Sequence, residues 1–190
     1  MLARQLVSSG GALTGQDRSF SILMWYTDEV DRPKRENVMI LGIHHTALSV
    51  KDLERSLAFY RDLLGMELLS DQSWEGSPEN NPKPEKILKL KDPAARQAML
   101  RCGNCHVELF EFRKPEPSPM AEDRPVNDHG YTHVALDVKD VDAEYDRLLK
   151  AGVTFHCGPI NLGPQCRTTY GRDPDGNVIE FQELFESPRW

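Results

Sequence analysis

The sequence predicts an α+β fold in which two βαβββ modules form a curved mixed sheet that encloses a cavity. Three observations predict it. The stretch His45–Asp52 recurs, with the same pattern of residue types, as His133–Asp140. Each copy is followed by an amphipathic run that ends at a glycine, and each half of the chain closes with a short apolar strand that contains glutamate. A repeat of this kind indicates one supersecondary unit present twice.

The first module is predicted over residues 39–112. Apolar and β-branched residues at His45–Val50 predict its opening strand. Asp52 is suited to the N-cap of the following helix, where its side chain can accept an unpaired backbone N–H. The polar, proline-containing stretch 71–86 is predicted to be irregular, because proline lacks the backbone donor that strands and helices need. Further strands are predicted at 86–91, 97–102 and 105–112.

The second module is predicted over residues 129–186. Asp140 is its helix N-cap, and apolar residues at helical spacing follow it. Asp173–Asn177 has the composition of a tight turn before the last strand. Strands are predicted at 153–157, 166–170 and 177–184.

Three segments lie outside the modules. Residues 1–38 are polar and predict an N-terminal extension, and residues 187–190 form a short tail. Residues 113–128 contain four prolines among charged residues and predict a linker between the modules.

Composition excludes several classes of function. The net charge of −7 argues against nucleic-acid binding, which requires a basic surface. The longest apolar run is too short to span a membrane. Four cysteines are too few for a disulfide scaffold, so we expect a reduced, cytoplasmic setting. The Cys102–Cys105 pair has the CxxC spacing, and we interpret it as two small residues on either side of a Gly-Asn hairpin turn.

Each module carries one histidine on its first strand and glutamates on its last. If the two modules close into one curved sheet, four side chains can converge: His45, Glu108, His133 and Glu180. Two imidazoles and two carboxylates suit one divalent metal ion such as Zn, Ni, Co, Mn or Fe(II).

Both closing strands have the pattern Glu-x-x-Glu, so the repeat leaves the choice of glutamate open. Glu108 and Glu180 are one possible pair, and Glu111 and Glu183 are the other. Residues three apart on a strand point to opposite faces, so only one pair can share the cavity.

The chain resembles the vicinal oxygen chelate superfamily, which includes glyoxalases, epimerases, bleomycin-resistance proteins and extradiol dioxygenases. The resemblance is carried by His45–Met66, Gly130–Leu136 and Asp173–Glu180, and it covers about residues 40–185. It implies metal ligands at four positions: His45, Glu108, His133 and Glu180. It also implies that Glu180, or otherwise Glu108, transfers a proton.

The resemblance implies a metal-dependent lyase or isomerase that acts on a small oxygen-rich organic molecule. It also implies a homodimer, in which the site is formed by one chain or by two. Glyoxalase I itself usually has arginine where this chain has Ser49, which disfavours glutathione as part of the substrate. Phe110 and Phe112 suggest an apolar wall for the substrate. The alternatives are an Fe(II)-dependent extradiol-type dioxygenase and a non-catalytic binding or resistance protein.

Overall fold

The computed structural model describes residues 39–185 of the chain. The extension predicted for 1–38 and the tail predicted for 187–190 lie outside the described residues. The first module contains β1 (His45–Ser49), α1 (Leu53–Leu57) continued by a π-helical segment (Ala58–Leu63), β2 (Glu67–Glu75), α2 (Lys83–Leu88), β3 (Ala94–Cys102) and β4 (Cys105–Lys114). The second contains β5 (Val134–Asp137), α3 (Val141–Lys150), β6 (Thr154–Phe155), β7 (Ile160–Asn161), β8 (Cys166–Arg172) and β9 (Val178–Leu184).

Each module forms a mixed sheet. The strand orders are β1-β4-β3-β2 and β5-β9-β8-β6, and β7 also pairs with β8. The first strand of each module runs parallel to its last strand, because α1 or α3 provides the crossover. The other pairs are antiparallel. The predicted α+β class and the duplication are therefore confirmed.

The first module differs from the prediction between its opening strand and β3. The strand predicted at 86–91 is wrong, because α2 occupies Lys83–Leu88 instead, with proline in its first turn, where no backbone donor is needed. The second strand of the module is β2, which extends into the stretch predicted to be irregular. Most of β2 is exposed on both faces, so it lacks the apolar alternation from which a strand is predicted.

The helix starts predicted at Asp52 and Asp140 are confirmed. The Asp52 carboxylate accepts the Arg55 N–H at 3.0 Å, and the Asp140 carboxylate accepts the Ala143 N–H at 3.1 Å. Apolar residues of both modules form one hydrophobic cluster, which includes Leu53, Leu57, Leu100, Leu109, Leu148, Ile179 and Phe181. None of the helices in residues 39–185 has the length and apolar character needed to cross a membrane.

The turn before β9 joins the second module to the helix of the first. The buried Tyr60 hydroxyl donates to Asp173 at 2.8 Å, and Asp173 also accepts the backbone N–H groups of Asp175 and Asn177. Arg55 forms an ion pair with Asp175 at 2.6 Å. The predicted turn thus also fixes the position of one module against the other.

The proline-rich linker lies against the same turn. Arg172 donates hydrogen bonds to the carbonyl oxygens of Glu122, Arg124 and Gly176, at 3.3, 3.0 and 2.7 Å. Gly176 has a φ of 88°, and a Cβ atom there would lie 2.5 Å from the Glu122 carbonyl oxygen. Glycine is therefore required both for the turn and for the approach of the linker.

Candidate active site

His45 and Glu108 form a pair that we call the first half-site. It lies on the face of the first sheet that points away from the core. Because β1 pairs with β4 and places Ala47 opposite Glu108, the His45 side chain reaches the Glu108 carboxylate. The His45 Nε2 lies 3.2 Å from Glu108 Oε2. The second carboxylate oxygen, Oε1, accepts a hydrogen bond from the Gln97 side-chain amide at 2.5 Å. Gln97 in turn accepts the Trp74 indole N–H at 2.9 Å.

The second half-site, formed by His133 and Glu180, has the same construction. His133 directly precedes β5, and β5 places Ala135 opposite Glu180. The His133 Nε2 lies 3.0 Å from Glu180 Oε2. Oε1 of Glu180 accepts the Thr168 hydroxyl at 2.8 Å. The other imidazole nitrogen of His133, Nδ1, is 3.0 Å from the Thr132 hydroxyl oxygen.

Gln97 and Thr168 occupy equivalent positions in the two modules. Gln97 is opposite Phe110, and Thr168 is opposite Gln182, in each case two residues beyond the glutamate. Each therefore holds the Oε1 atom of its glutamate and leaves Oε2 beside the histidine. The sequence interpretation missed both residues. The hairpin turn at 103–104 could have indicated Gln97, because the turn sets the register of β3 on β4.

The other glutamate of each closing strand caps a helix. Glu111 accepts the backbone N–H of Leu53 at 2.8 Å. Glu183 accepts the backbone N–H groups of Asp140 and Val141 at 3.0 and 3.1 Å. These contacts satisfy amide donors at the first turns of α1 and α3. In both modules the first glutamate of Glu-x-x-Glu contacts a histidine and the second contacts a helix.

The carboxylates of the two half-sites are buried, whereas their histidines reach the surface. Glu108 and Glu180 are 8% and 6% exposed. The side chains of His45 and His133 are 37% and 29% exposed. A buried carboxylate is costly unless it is paired or hydrogen-bonded, and each of these has a hydrogen-bond donor on one oxygen and an imidazole beside the other. Each half-site thus presents one imidazole nitrogen and one carboxylate oxygen at its edge.

Within one chain the four residues come together as two separate pairs. Among residues 39–185, no group of three or more His, Cys, Asp or Glu side chains is placed to hold a metal ion. The geometry of each pair nevertheless fits two neighbouring ligands of one ion, since metal–ligand bonds of about 2.0–2.2 Å put adjacent ligand atoms roughly 3 Å apart. Each pair therefore has the spacing of two neighbouring metal ligands.

The two half-sites differ in their surroundings. Phe110 and Phe112 stack with a centroid distance of 5.4 Å, and Trp74 contacts Phe112 edge to face at 6.5 Å. All three rings are half-buried beside the first half-site. In the second half-site, Tyr170 lies opposite Glu180 and its ring is 5.0 Å from that of His133.

The position of Tyr170 affects its ionisation. Burial raises the pKa of the Tyr170 hydroxyl, and the charge of Glu180 adds to this shift. His156, whose ring is 6.1 Å from that of Tyr170, has its pKa lowered by burial and by the positive charge of Arg172. Tyr170 therefore places a neutral hydroxyl group beside Glu180.

Alternation along a strand would make His44 face away from His45, but the two side chains are in contact. Nδ1 of His44 lies 2.9 Å from Nδ1 of His45, and the His44 ring stacks on His106 at 5.2 Å. The reason is that β1 begins only at His45, so alternation does not apply to the residue before it.

A cavity of about 660 Å³ lies between the modules. Its walls are β1, the linker and the turn before β9, and His133 is the only residue of the four that lines it. Charged side chains of both signs, including Lys51, Glu122 and Arg172, also line this cavity.

Comparison with known proteins gives a consistent result. The sequence model of the Glyoxalase/Bleomycin resistance protein/Dioxygenase superfamily matches residues 42–181. A lactoylglutathione lyase of Haemophilus influenzae is 31% identical over 150 residues, which cover 75% of this chain and 93% of the relative. An ethylmalonyl-CoA/methylmalonyl-CoA epimerase of Cereibacter sphaeroides is 32% identical over 153 residues, 77% of this chain and 100% of the relative. The crystal structure of a glyoxalase family protein from Bacillus cereus superposes with a TM-score of 0.70 at 23% identity, covering 80% of this chain and 99% of that one, which supports the fold.

Proposed function

The chain belongs to the glyoxalase/bleomycin resistance protein/dioxygenase superfamily, and from that premise we propose that it is a metal-dependent lyase or isomerase. The reaction is a proton transfer at a carbon next to a carbonyl group. The observation that carries the proposal is the pair of matching half-sites. Each holds a glutamate by one oxygen and leaves the other oxygen beside an imidazole.

The proposed metal ligands are His45, Glu108, His133 and Glu180. One divalent ion bound by them, whether Zn, Ni, Co, Mn or Fe(II), supplies a Lewis acid that makes the developing negative charge on the substrate oxygen less costly.

Glu180 is the proposed acid–base residue, with Glu108 as the second choice. The Thr168 hydroxyl holds Oε1 of Glu180 in place, so Oε2, which is also the proposed ligand atom, is the oxygen that would take the proton from carbon and return it. Glu108 is held more extensively, by Gln97 and, through it, by Trp74. That difference favours a fixed ligand at Glu108 and a proton carrier at Glu180.

The names of two relatives indicate the substrate class. Lactoylglutathione and methylmalonyl-CoA are both thioesters with a C–H bond next to the thioester carbonyl. The half-buried rings of Trp74, Phe110 and Phe112 give the first half-site an apolar wall that suits an apolar part of such a substrate. This chain has Ser49 where glyoxalase I usually has arginine, so we propose that the substrate is an acyl thioester of a thiol other than glutathione.

The complete site is proposed to form in a homodimer. In one chain the two half-sites are separate, and each supplies only two donors. A two-fold axis that brings the first half-site of one protomer to the second half-site of its partner would complete two equivalent sites.

Metal content of the purified full-length protein tests the ligand assignment. We expect one divalent ion per chain, and we expect His45→Ala and Glu180→Gln each to lower metal affinity by at least about tenfold. Glu183→Gln is the matched control, since Glu183 is in the same strand and caps a helix. If both ligand variants retain the metal content of the unchanged protein, the assignment is wrong.

Solvent deuterium exchange tests the reaction itself. The metal-loaded enzyme should exchange the C–H next to the thioester carbonyl of methylmalonyl-CoA, as followed by NMR, and Glu180→Gln should abolish the exchange. Oxygen consumption with a catechol and no exchange would instead support the extradiol-type dioxygenase. Ligand binding that survives chelation, with neither activity, would support a non-catalytic binding protein.

A further inference from the structure

Cys102 and Cys105 lie directly opposite each other at the end of the β3–β4 hairpin. They are register partners, separated only by Gly103 and Asn104, so the predicted hairpin turn is confirmed. Gly103 has a φ of 55°, the left-handed conformation that tight two-residue turns require. Residues directly opposite on two strands place their side chains on the same face of the sheet. Both sulfur atoms therefore project to the same side.

The spacing of this pair is compatible with a disulfide. Directly opposite residues in antiparallel strands have Cα atoms about 4.5–5.5 Å apart. Disulfides span Cα distances of about 4.4–6.8 Å. All four cysteines lie in residues 39–185 and all are free; Cys157 is exposed, Cys166 is buried, and Cys102 and Cys105 are half-buried. Of the four, only Cys102 and Cys105 are register partners.

The two thiols have different environments. Cys102 packs against the hydrophobic core, and burial raises the pKa of its thiol, with a further contribution from Cys105. Cys105 is the first residue of β4, next to the turn, and its Sγ lies 3.8 Å from the exposed carbonyl oxygen of His44. The thiolate is the reactive form of cysteine, so burial makes Cys102 the slower of the two to react.

We propose that Cys102 and Cys105 form a reversible dithiol–disulfide site that closes across the β3–β4 turn in the presence of hydrogen peroxide. The Cys105 thiolate attacks one peroxide oxygen; the O–O bond breaks, and after protonation a sulfenic acid and one water are formed. The Cys102 sulfur then attacks the Cys105 sulfur, an S–S bond forms, the S–O bond breaks, and a second water leaves. The two thiols together give two electrons to the peroxide.

The geometry of the turn makes the bond easy to reduce. Side chains opposite each other have Cβ atoms about 4.5–5.5 Å apart, whereas a disulfide needs about 3.5–4.5 Å. Because the two ranges meet only at about 4.5 Å, closing the bond brings the Cβ atoms to the near end of the cross-strand range, and disulfides formed under strain have the higher reduction potentials of labile sites. Two molecules of a low-mass thiol then restore both cysteines by exchange.

The site is close to the first half-site, although the proposal does not depend on the proposed function. Cys105 contacts the carbonyl of His44, and the His44 ring contacts His45. Oxidation that pulls Cys105 toward Cys102 would therefore act on the backbone next to His45.

Peptide mass analysis of the full-length protein tests the proposal. Arg101 and Arg113 place both cysteines on one tryptic peptide, residues 102–113. After treatment with hydrogen peroxide and alkylation, we expect most of this peptide to be unalkylated and lighter by two hydrogen atoms. Dithiothreitol should restore the doubly alkylated form.

Two variants complete the test. A Cys157→Ser, Cys166→Ser protein should form the same closed peptide, because neither replaced cysteine takes part. Cys102→Ser should stop at the sulfenic acid of Cys105, which dimedone traps. The proposal is overturned if the peptide stays doubly alkylated at peroxide concentrations that oxidise the exposed Cys157, or if Cys102→Ser yields no dimedone adduct at Cys105.

Discussion

At the scale of single residues, the two glutamates of each closing strand have separate roles. Glu108 and Glu180 contact histidines, whereas Glu111 and Glu183 cap helices. Residues three apart on a strand point to opposite faces, so one glutamate faces the half-site and the other faces the helix. The same division occurs in both modules, which indicates that it belongs to the unit that was duplicated.

Tyr60→Phe tests the contact between the modules at this scale. The variant removes a buried hydroxyl that donates to Asp173 at 2.8 Å, and we expect a loss of about 1–3 kcal/mol in the free energy of unfolding. Urea titration measures it. Tyr145→Phe is the control, since Tyr145 is half-buried and packs against Phe155 through its ring. Equal stability of Tyr60→Phe and the unchanged protein would contradict this role.

The contribution of Tyr60 also depends on pH. Burial, and then the charge of Asp173, raise the pKa of Tyr60 well above the ordinary value of 10.0. A raised folded-state pKa means that the stabilisation is complete below the unfolded pKa and is lost as pH rises through the folded one. We therefore expect the stability difference between the unchanged protein and Tyr60→Phe to decrease above about pH 10. A difference that increases with pH there would be inconsistent with a buried neutral hydroxyl.

At the scale of elements, residues 115–128 of the linker are held by specific contacts although they form no strand, and residues 113–114 belong to β4. Arg172 donates to the carbonyl oxygens of Glu122 and Arg124, and Gly176 lets the linker backbone approach the turn. The prolines of the linker cannot donate backbone hydrogen bonds, so this segment does not pair as a strand. Its carbonyl groups accept hydrogen bonds from the Arg172 side chain on β8 instead.

Gly176→Ala tests this docking, with Gly163→Ala as its matched control. Both glycines have positive φ, so each alanine costs about 1–2 kcal/mol in backbone strain. Only at Gly176 would the new Cβ meet the linker backbone, whereas Gly163 has no atom within 4 Å. We expect Gly176→Ala to be the less stable variant in urea and to be cut faster after Glu122 by a glutamate-specific protease. Equal cleavage rates in the two variants would show that the linker does not depend on this contact.

At the scale of the whole molecule, each chain has two matching half-sites that do not meet. The contacts of Tyr60 with Asp173 and of Arg55 with Asp175 fix the modules in this relative position, and Arg172 holds the linker against the second module. The homodimer proposed above would bring a first half-site and a second half-site together without moving one module against the other.

Mixed dimers test this arrangement. One chain carries His45→Ala and Glu108→Gln, and the other carries His133→Ala and Glu180→Gln. If a site joins the first half-site of one protomer to the second half-site of its partner, each mixed dimer has one intact site and regains about half of the metal and activity. If each site lies within one chain, every site is damaged, and co-expression restores nothing.

Much of the fold could be predicted from the sequence. The duplication, the helix caps at Asp52 and Asp140, and the hairpin turn at 103–104 all depend on local patterns, and the structure confirms them. The strand at 86–91 was wrong, because a lysine-rich segment with apolar residues can form either a strand or a short helix. The exposed strand β2 carries no apolar alternation and could not be recognised.

For the candidate site, the sequence by itself determined which residue types recur in equivalent positions, since repetition is visible in one dimension. The resemblance implied Glu108 rather than Glu111 as a ligand, but only the tertiary structure decided that Glu111 caps α1, because that contact depends on which face of the sheet receives the helix. The same holds for Gln97 and Thr168, whose partners lie on neighbouring strands. Pairing across strands depends on register, and register is set by the turns and by burial of one face against the rest of the molecule.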